Sequence, residues 1–146
     1  MRRLAELPFV NNIAALGLRN VDRKLELEPM RERGIGIATS RDLIDRNIGT
    51  VIDQTVPESQ ALYLSIDIDV LDLAVVPGTT LPEPGGLSYR QLREVLVQVA
   101  RRGPVVGFDV VELNPPHDPN ATTARVAAWI ATHLLSEVFA LRGTSN

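Results

Sequence analysis

Apolar residues along this chain fall into two kinds of run, and their order sketches a fold. Four short stretches are apolar at nearly every position: 10–18, Gly34–Ala38, Ala61–Asp67 and Val105–Leu113. Runs of that length without a polar face predict strands buried on both sides. Between and after them, apolar residues recur at helical spacing. Leu43, Ile44, Ile48, Val51 and Ile52 keep that spacing from Ser40, a candidate cap, until Pro57, and Asn47 and Gly49 divide the stretch into two short helices. Ser88 and Gln91 form a capping box, Leu87 and Leu92 suit a hydrophobic staple, and Leu92, Val95, Leu96, Val99 and Ala100 share one face. That helix is predicted to end at Arg101-Arg102-Gly103-Pro104, and a last one to run from Thr122 to Leu141 with Val126, Ala127, Ile130, Leu134, Val138 and Leu141 inward. Residues 21–33 read as a charged connection, with a short helix broken at Pro29. Strands alternating with helices indicate an α/β domain over 1–146, with a mostly parallel sheet covered on both faces.

Composition narrows the class. A chain of 146 residues suits one domain, and 45% hydrophobic with 23% charged residues is globular composition. No apolar run in the sequence approaches a membrane span, and nothing resembles a secretory signal, so no membrane partner is expected. Without cysteine there are no disulfides or thiolate metal sites, which fits a cytoplasmic protein. Lys24 is the sole lysine and no basic stripe carries interleaved aromatics, so nucleic acid is not an expected partner. The net charge of −3 arises wholly after residue 60, where Asp67, Asp69, Asp72, Asp109 and Glu112 lie in or just after the two most apolar strands. Acids so placed favour a cation or a cationic substrate.

Alternation along a strand would project Asp67 and Asp69 to one side and Ile66 and Ile68 to the other. Two such carboxylates repel unless a positive charge sits between them, and a hard divalent cation such as Mn²⁺ or Mg²⁺ suits oxygen donors. Pro77, Pro82, Pro84 and Gly85-Gly86 make a stiff loop beside them. Ligands in parallel sheets gather beyond the carboxyl ends of strands, which groups Asp67–Asp72 with Glu112. Asp72 reads as a turn former or an outer acceptor, Asp109 as a satisfied structural carboxylate, and His133 as an exposed helix residue. Trp129 reads as packing at the sheet or a subunit contact. His117 lies in the rigid loop Asn114–Asn120 near the expected mouth, as a substrate contact or a surface histidine.

The string Ser-Ile-Asp-Ile-Asp-Val-Leu-Asp at 65–72, followed by Pro-Gly-Thr at 77–79 and Pro-Glu-Pro-Gly-Gly-Leu-Ser at 82–88, resembles a metal-binding signature of the ureohydrolases. These are the arginase, agmatinase and formimidoylglutamase family. Gly107-Phe-Asp-Val-Val-Glu-Leu-Asn-Pro-Pro resembles the same family's C-terminal signature. The resemblance implies the C-terminal half of a three-layer αβα arginase-type fold. It implies two Mn²⁺ ions in the complete site, with Asp67 bridging them and Asp69 on one. Hydroxide there attacks a guanidinium carbon, and the tetrahedral intermediate collapses to urea and an amine. Glu112 matches the glutamate that holds the guanidinium, whose forked donors suit a planar carboxylate. The family's earlier ligand segments, of Gly-Gly-Asp-His and Asp-Ala-His-x-Asp type, do not occur here. Leu73 stands where the family usually has proline, and Thr80-Leu81 where Gly-Thr is usual, which weakens substrate placement more than metal placement. Asn114-Pro-Pro-His-Asp-Pro resembles the agmatinase loop; formimidoylglutamase-like and arginase-like hydrolases remain alternatives. A homo-oligomer (trimer or hexamer) or an N-terminal complement is implied as partner. Two other readings are a non-catalytic remnant or assembly module, and a glycosyltransferase-like Asp-x-Asp protein binding a metal–nucleotide, against which the second signature at 107–116 argues.

Overall fold

The computed structural model describes residues 3–143. A 3₁₀ turn at Leu4–Glu6 leads to strand β1, Ala14–Leu18. The asparagines at 11 and 12 stay outside the strand, which is shorter than its apolar run. A π-helical turn, Arg23–Leu27, continues into helix α1, Glu28–Glu32. Pro29 does not break this segment. It sits in the first turn of α1, where its missing N–H has no helical partner to lose. Strand β2, Gly36–Thr39, runs directly into helix α2, Ser40–Asp45, and helix α3, Ile48–Thr55, follows. The cap of α2 is Thr39 rather than Ser40. Asp42 at the third helical position returns a hydrogen bond to the Thr39 N–H at 2.9 Å, while the Asp42 N–H donates to Thr39 Oγ1 at 3.2 Å. Ser40 is instead buried and donates to the Gly17 carbonyl at 2.8 Å.

Strand β3, Leu62–Asp67, ends in a 3₁₀ turn, Ile68–Val70, and helix α4 spans Tyr89–Ala100 with the Ser88–Gln91 capping box in place. Strand β4, Val105–Val111, precedes a 3₁₀ turn at Pro115–His117 and helix α5, Thr122–Gly143. By length and composition α5 is apolar enough to cross a membrane, with mean hydropathy 1.2 over its best window, although no single apolar run within it is that long. One face of it joins the common core through Ala127, Ile130 and Leu134, while most of the helix is not buried, and Arg142 donates to the Val105 carbonyl at 2.9 Å.

All strand pairing is parallel, as the alternation of strands and helices implies. The strands do not form one ladder, however. β1 pairs with β2 and β3 pairs with β4, and among the described residues no ladder joins the two pairs. A single hydrophobic core still unites them, running from Ala38, Leu43 and Ile52 through Ile66, Leu92 and Val95 to Ile130 and Leu134. Leu62, Leu64 and Ile66 of β3 face it. Tyr63, Ser65 and Asp67 face away, and Tyr63 is 65% exposed. The described residues thus cover the β3–β4 pair with helices on its core face only, and not on the Tyr63 face as burial on both sides predicted.

Candidate functional site

The site is assembled where β3 and β4 end together. Their register pairs Ser65 with Asp109, Ile66 with Val110 and Asp67 with Val111, so Glu112 is the first residue beyond the partner of Asp67. The two strand ends named from the sequence are therefore neighbours. Glu112 leaves the strand at φ 64°, in the left-handed region that a side chain with a Cβ adopts at a cost of about 1–2 kcal/mol. That turn ends β4 two residues earlier than its apolar run and leaves the Glu112 carboxylate exposed at the strand end.

Asp69 reaches the site by another route than alternation. β3 stops at Asp67, and the 3₁₀ turn buries Ile68 completely while bringing Asp69 round beside Asp67, whose carboxylate accepts the Asp69 N–H at 3.2 Å. Desolvation first, then the negative charge of Asp67, pushes the Asp69 carboxyl above its ordinary value; Arg19 opposes this and Glu83 adds to it. The pair therefore holds a concentration of negative charge that a cation would relieve.

Its neighbours are satisfied in other ways. Asp72 accepts the N–H groups of Ala74 at 2.9 Å and Gly85 at 2.8 Å, and these bonds hold its carboxyl below the usual range, so it is the turn former of the loop. Asp109 accepts the Tyr63 hydroxyl at 2.8 Å and the Ser65 hydroxyl at 2.7 Å, a structural role as expected, although on the open face of the sheet. Its hydrogen bond is the main cause that raises the Tyr63 phenol above its ordinary value. His117 contacts the Thr79 carbonyl through Nδ1 at 3.2 Å. Asn114 Nδ2 lies 3.4 Å from the same Nδ1, so a protonated Nδ1 donates to the Thr79 carbonyl and an unprotonated one accepts from Asn114. His133 is not simply exposed: its ring lies 6.1 Å from those of both Tyr89 and Trp129. Trp129 is 60% exposed, its ring beside that of His133.

The loop between Asp72 and Ser88 is stitched to the exit of β4. Gly78 accepts the Asn114 N–H at 3.0 Å through its carbonyl and donates its own N–H to Thr123 Oγ1 at 2.8 Å. A Cβ on Gly78 would stand 2.3 Å from Asp118 Cβ, so only glycine fits this approach. Asp118 in turn accepts the N–H groups of Thr123 at 3.1 Å and Ala124 at 2.9 Å at the start of α5.

As a donor set, Asp67 and Asp69 suit a hard cation in kind but not in number. Among the described residues no group of three or more His, Cys, Asp or Glu is placed to hold a metal ion. A second contributor was not recognised from the sequence. Arg19, at the end of β1, donates to the carbonyls of Asp69 at 2.6 Å and Val70 at 2.9 Å. Its signal was faint: an arginine one residue past an apolar strand, roughly fifty positions from the acids.

Comparison with known proteins is consistent across sequence and structure. Residues 1–136 match the family model described as the Arginase family. The chain is 33% identical over 126 residues to the agmatinase of Pyrococcus horikoshii, covering 86% of this chain and 42% of that protein. It is 31% identical over 127 residues to the arginase of Agrobacterium fabrum, covering 84% of this chain and 39% of that one. The solved structure of the agmatine ureohydrolase of Thermoplasma volcanium superposes with a TM-score of 0.83 at 27% identity, covering 99% of this chain and 48% of that chain. The chain spans less than half the length of each of these relatives.

Proposed function

The chain belongs to the arginase family, and from that premise we propose that it forms the C-terminal part of a manganese-dependent, agmatinase-like ureohydrolase. In complete form such an enzyme would hydrolyse a guanidino compound to urea and an amine. The observation that carries this reading is the convergence of Asp67, Asp69 and Glu112 at two paired strand ends. Asp67 and Asp69 would hold the ion, and the crowding that raises the Asp69 carboxyl is what a bound cation would relieve. Bound Mn²⁺ supplies Lewis acidity that brings the pKa of water toward neutrality. Glu112 would hold the guanidinium through paired charge-assisted hydrogen bonds and orient its carbon. His117 would border the same site, its Nδ1 turned to Thr79 and its Nε2 the ring nitrogen left for substrate. Arginase-like or formimidoylglutamase-like substrates are the alternatives within this chemistry.

Two carboxylates are too few to complete the shells of two Mn²⁺ ions, which take about six oxygen or nitrogen ligands each. The remaining donors would come from an N-terminal complement. The open edges of both strand pairs and the exposed Tyr63 face support such a partner, or a homo-oligomer. The shortage of donors also favours a second reading, a non-catalytic assembly module of the same fold.

The test is hydrolysis by the 146-residue chain with Mn²⁺, alone and mixed with the N-terminal half of an agmatinase relative. We expect no urea from agmatine or arginine, and no formamide from formiminoglutamate, by the chain alone. The mixture should release urea from agmatine, and Glu112→Gln should impair it severely. Robust turnover by the short chain would require a ligand set other than this one; silence in a mixture that does form a complex would favour the assembly module. Sedimentation at micromolar concentration should show self-association of the chain, and a stable monomer would count against the partner reading.

A further inference from the structure

Arg19 is buried more deeply than a charged residue at a strand end has reason to be, since its side chain is 10% exposed. Its two terminal nitrogens donate to successive carbonyls, Asp69 at 2.6 Å and Val70 at 2.9 Å. Nε makes no hydrogen bond; the Glu83 carboxylate lies 3.7 Å from it, an ion-pair distance, and is itself held by Asn20 Nδ2 at 2.7 Å. The approach is tight: a Cβ on Gly17, two residues before Arg19, would stand 2.3 Å from Val70 Cγ2.

We propose that Arg19 is a positioning residue for the Asp67–Asp69 pair. Its guanidinium fixes the peptide units of the 3₁₀ turn through their carbonyls and thereby sets where the Asp69 carboxylate stands. The carbonyl held by Nη2 is bonded to the Asp69 Cα, so anchoring it together with the Val70 carbonyl limits how far that Cα, and the side chain it carries, can shift. Arg19 also crosses between two strand pairs that share no ladder, so the geometry of the acid pair depends on the β1–β2 unit as well as on β3. The planar fork matters. Lysine presents a point charge and could hold one carbonyl but not fix both. This inference rests on the reading of Asp67 and Asp69 as ion ligands.

The test uses the whole chain, uniformly ¹³C- and ¹⁵N-labelled, with Mn²⁺ alone as probe. Paramagnetic broadening of the Asp67 and Asp69 carboxyl carbons reports ion binding even when it is weak. We expect the Mn²⁺ concentration giving half-broadening to rise about tenfold or more in Arg19→Met, the scale of lost outer-sphere support, and by a smaller factor in Arg19→Lys. Without metal, the Leu71 amide, which closes the turn on the Ile68 carbonyl at 3.2 Å, should exchange faster in Arg19→Met while the Val95 amide in α4 is unchanged. Broadening in Arg19→Met at the wild-type concentration overturns the inference and leaves the ligand reading standing. Loss of Val95 protection together with Leu71 in both variants reduces Arg19 to a fold-wide support and also overturns it. Wild-type chain whose Asp67 and Asp69 signals ignore Mn²⁺ overturns the ligand reading, and this inference with it.

Discussion

Asp69 and Asp118 are both acids in the segments that follow the carboxyl ends of parallel strands, yet the chain treats them oppositely. Asp118 is buried, and although desolvation pushes its carboxyl up, the N–H groups of Ala124, Thr123 and Thr122 outweigh that and hold it below its ordinary value. Asp69 gains no such shell. Its neighbours are Asp67 and Glu83, and burial with like charge holds it above the ordinary value. One acid is complete within the fold, whereas the other is left short of donors. Counting acids does not separate function from structure here; asking which acid has already found its donors does.

The sharpest way to break this contrast is to remove each carboxylate and add Mn²⁺. Asp67→Ala or Asp69→Ala should abolish Mn²⁺-dependent stabilisation in thermal melts at millimolar ion, whereas Asp118→Ala should keep it. Retention of the effect without Asp67 would move the ion elsewhere. Without metal the order reverses. Asp118→Ala leaves buried N–H donors at the start of α5 unpaired and should lower Tm by on the order of 5 °C, while Asp69→Asn should leave Tm level or slightly higher.

Acid sharpens the comparison further. The folded-state carboxyl of Asp69 lies above its unfolded value, so its penalty is present near neutral pH and is relieved as pH falls toward about 4. For Asp118 the folded value is depressed. Its contribution is present above the ordinary carboxyl range and disappears as pH falls through the folded value, below about 4. Urea midpoints from pH 7 to 3 should therefore lose the first change in Asp69→Asn and the second in Asp118→Asn. The smallest effect is expected at Glu112. Glycine accepts φ 64° without strain, so Glu112→Gly should leave Tm unchanged or raise it by up to about 3 °C while removing the proposed guanidinium partner. A large fall in Tm would make Glu112 a structural residue.

How far these roles could be read from the chain depends on the range of the interactions. The Ser88–Gln91 box and the apolar face of α4 are written within a few residues, and both form as read, with Gln91 Oε1 accepting the Ser88 N–H at 2.9 Å. The adjacency of Asp67 and Glu112 was also legible, because parallel strands joined by one helix commonly pair. The path of Asp69 was not, since ending β3 at Asp67 and burying Ile68 is decided by packing against the core. Arg19 was missed for the same reason, its partners being set by tertiary contact. The division into two strand pairs was hidden as well, because apolar runs declare strands without naming their neighbours.

That division also bears on the order in which the chain acquires its shape. Joining β1 to β2 closes a short crossover containing little beyond α1, whereas joining β3 to β4 closes a crossover holding both the proline-rich loop and α4. Closure entropy grows with the length of the loop, by about 0.6 kcal/mol per doubling, and is repaid only once the contacts exist. On closure entropy alone, the β1–α1–β2 unit is expected to form before the β3–β4 seam. Asp67 and Glu112 lie at the far end of that seam, so a chain arrested before it closes would lack its acid cluster.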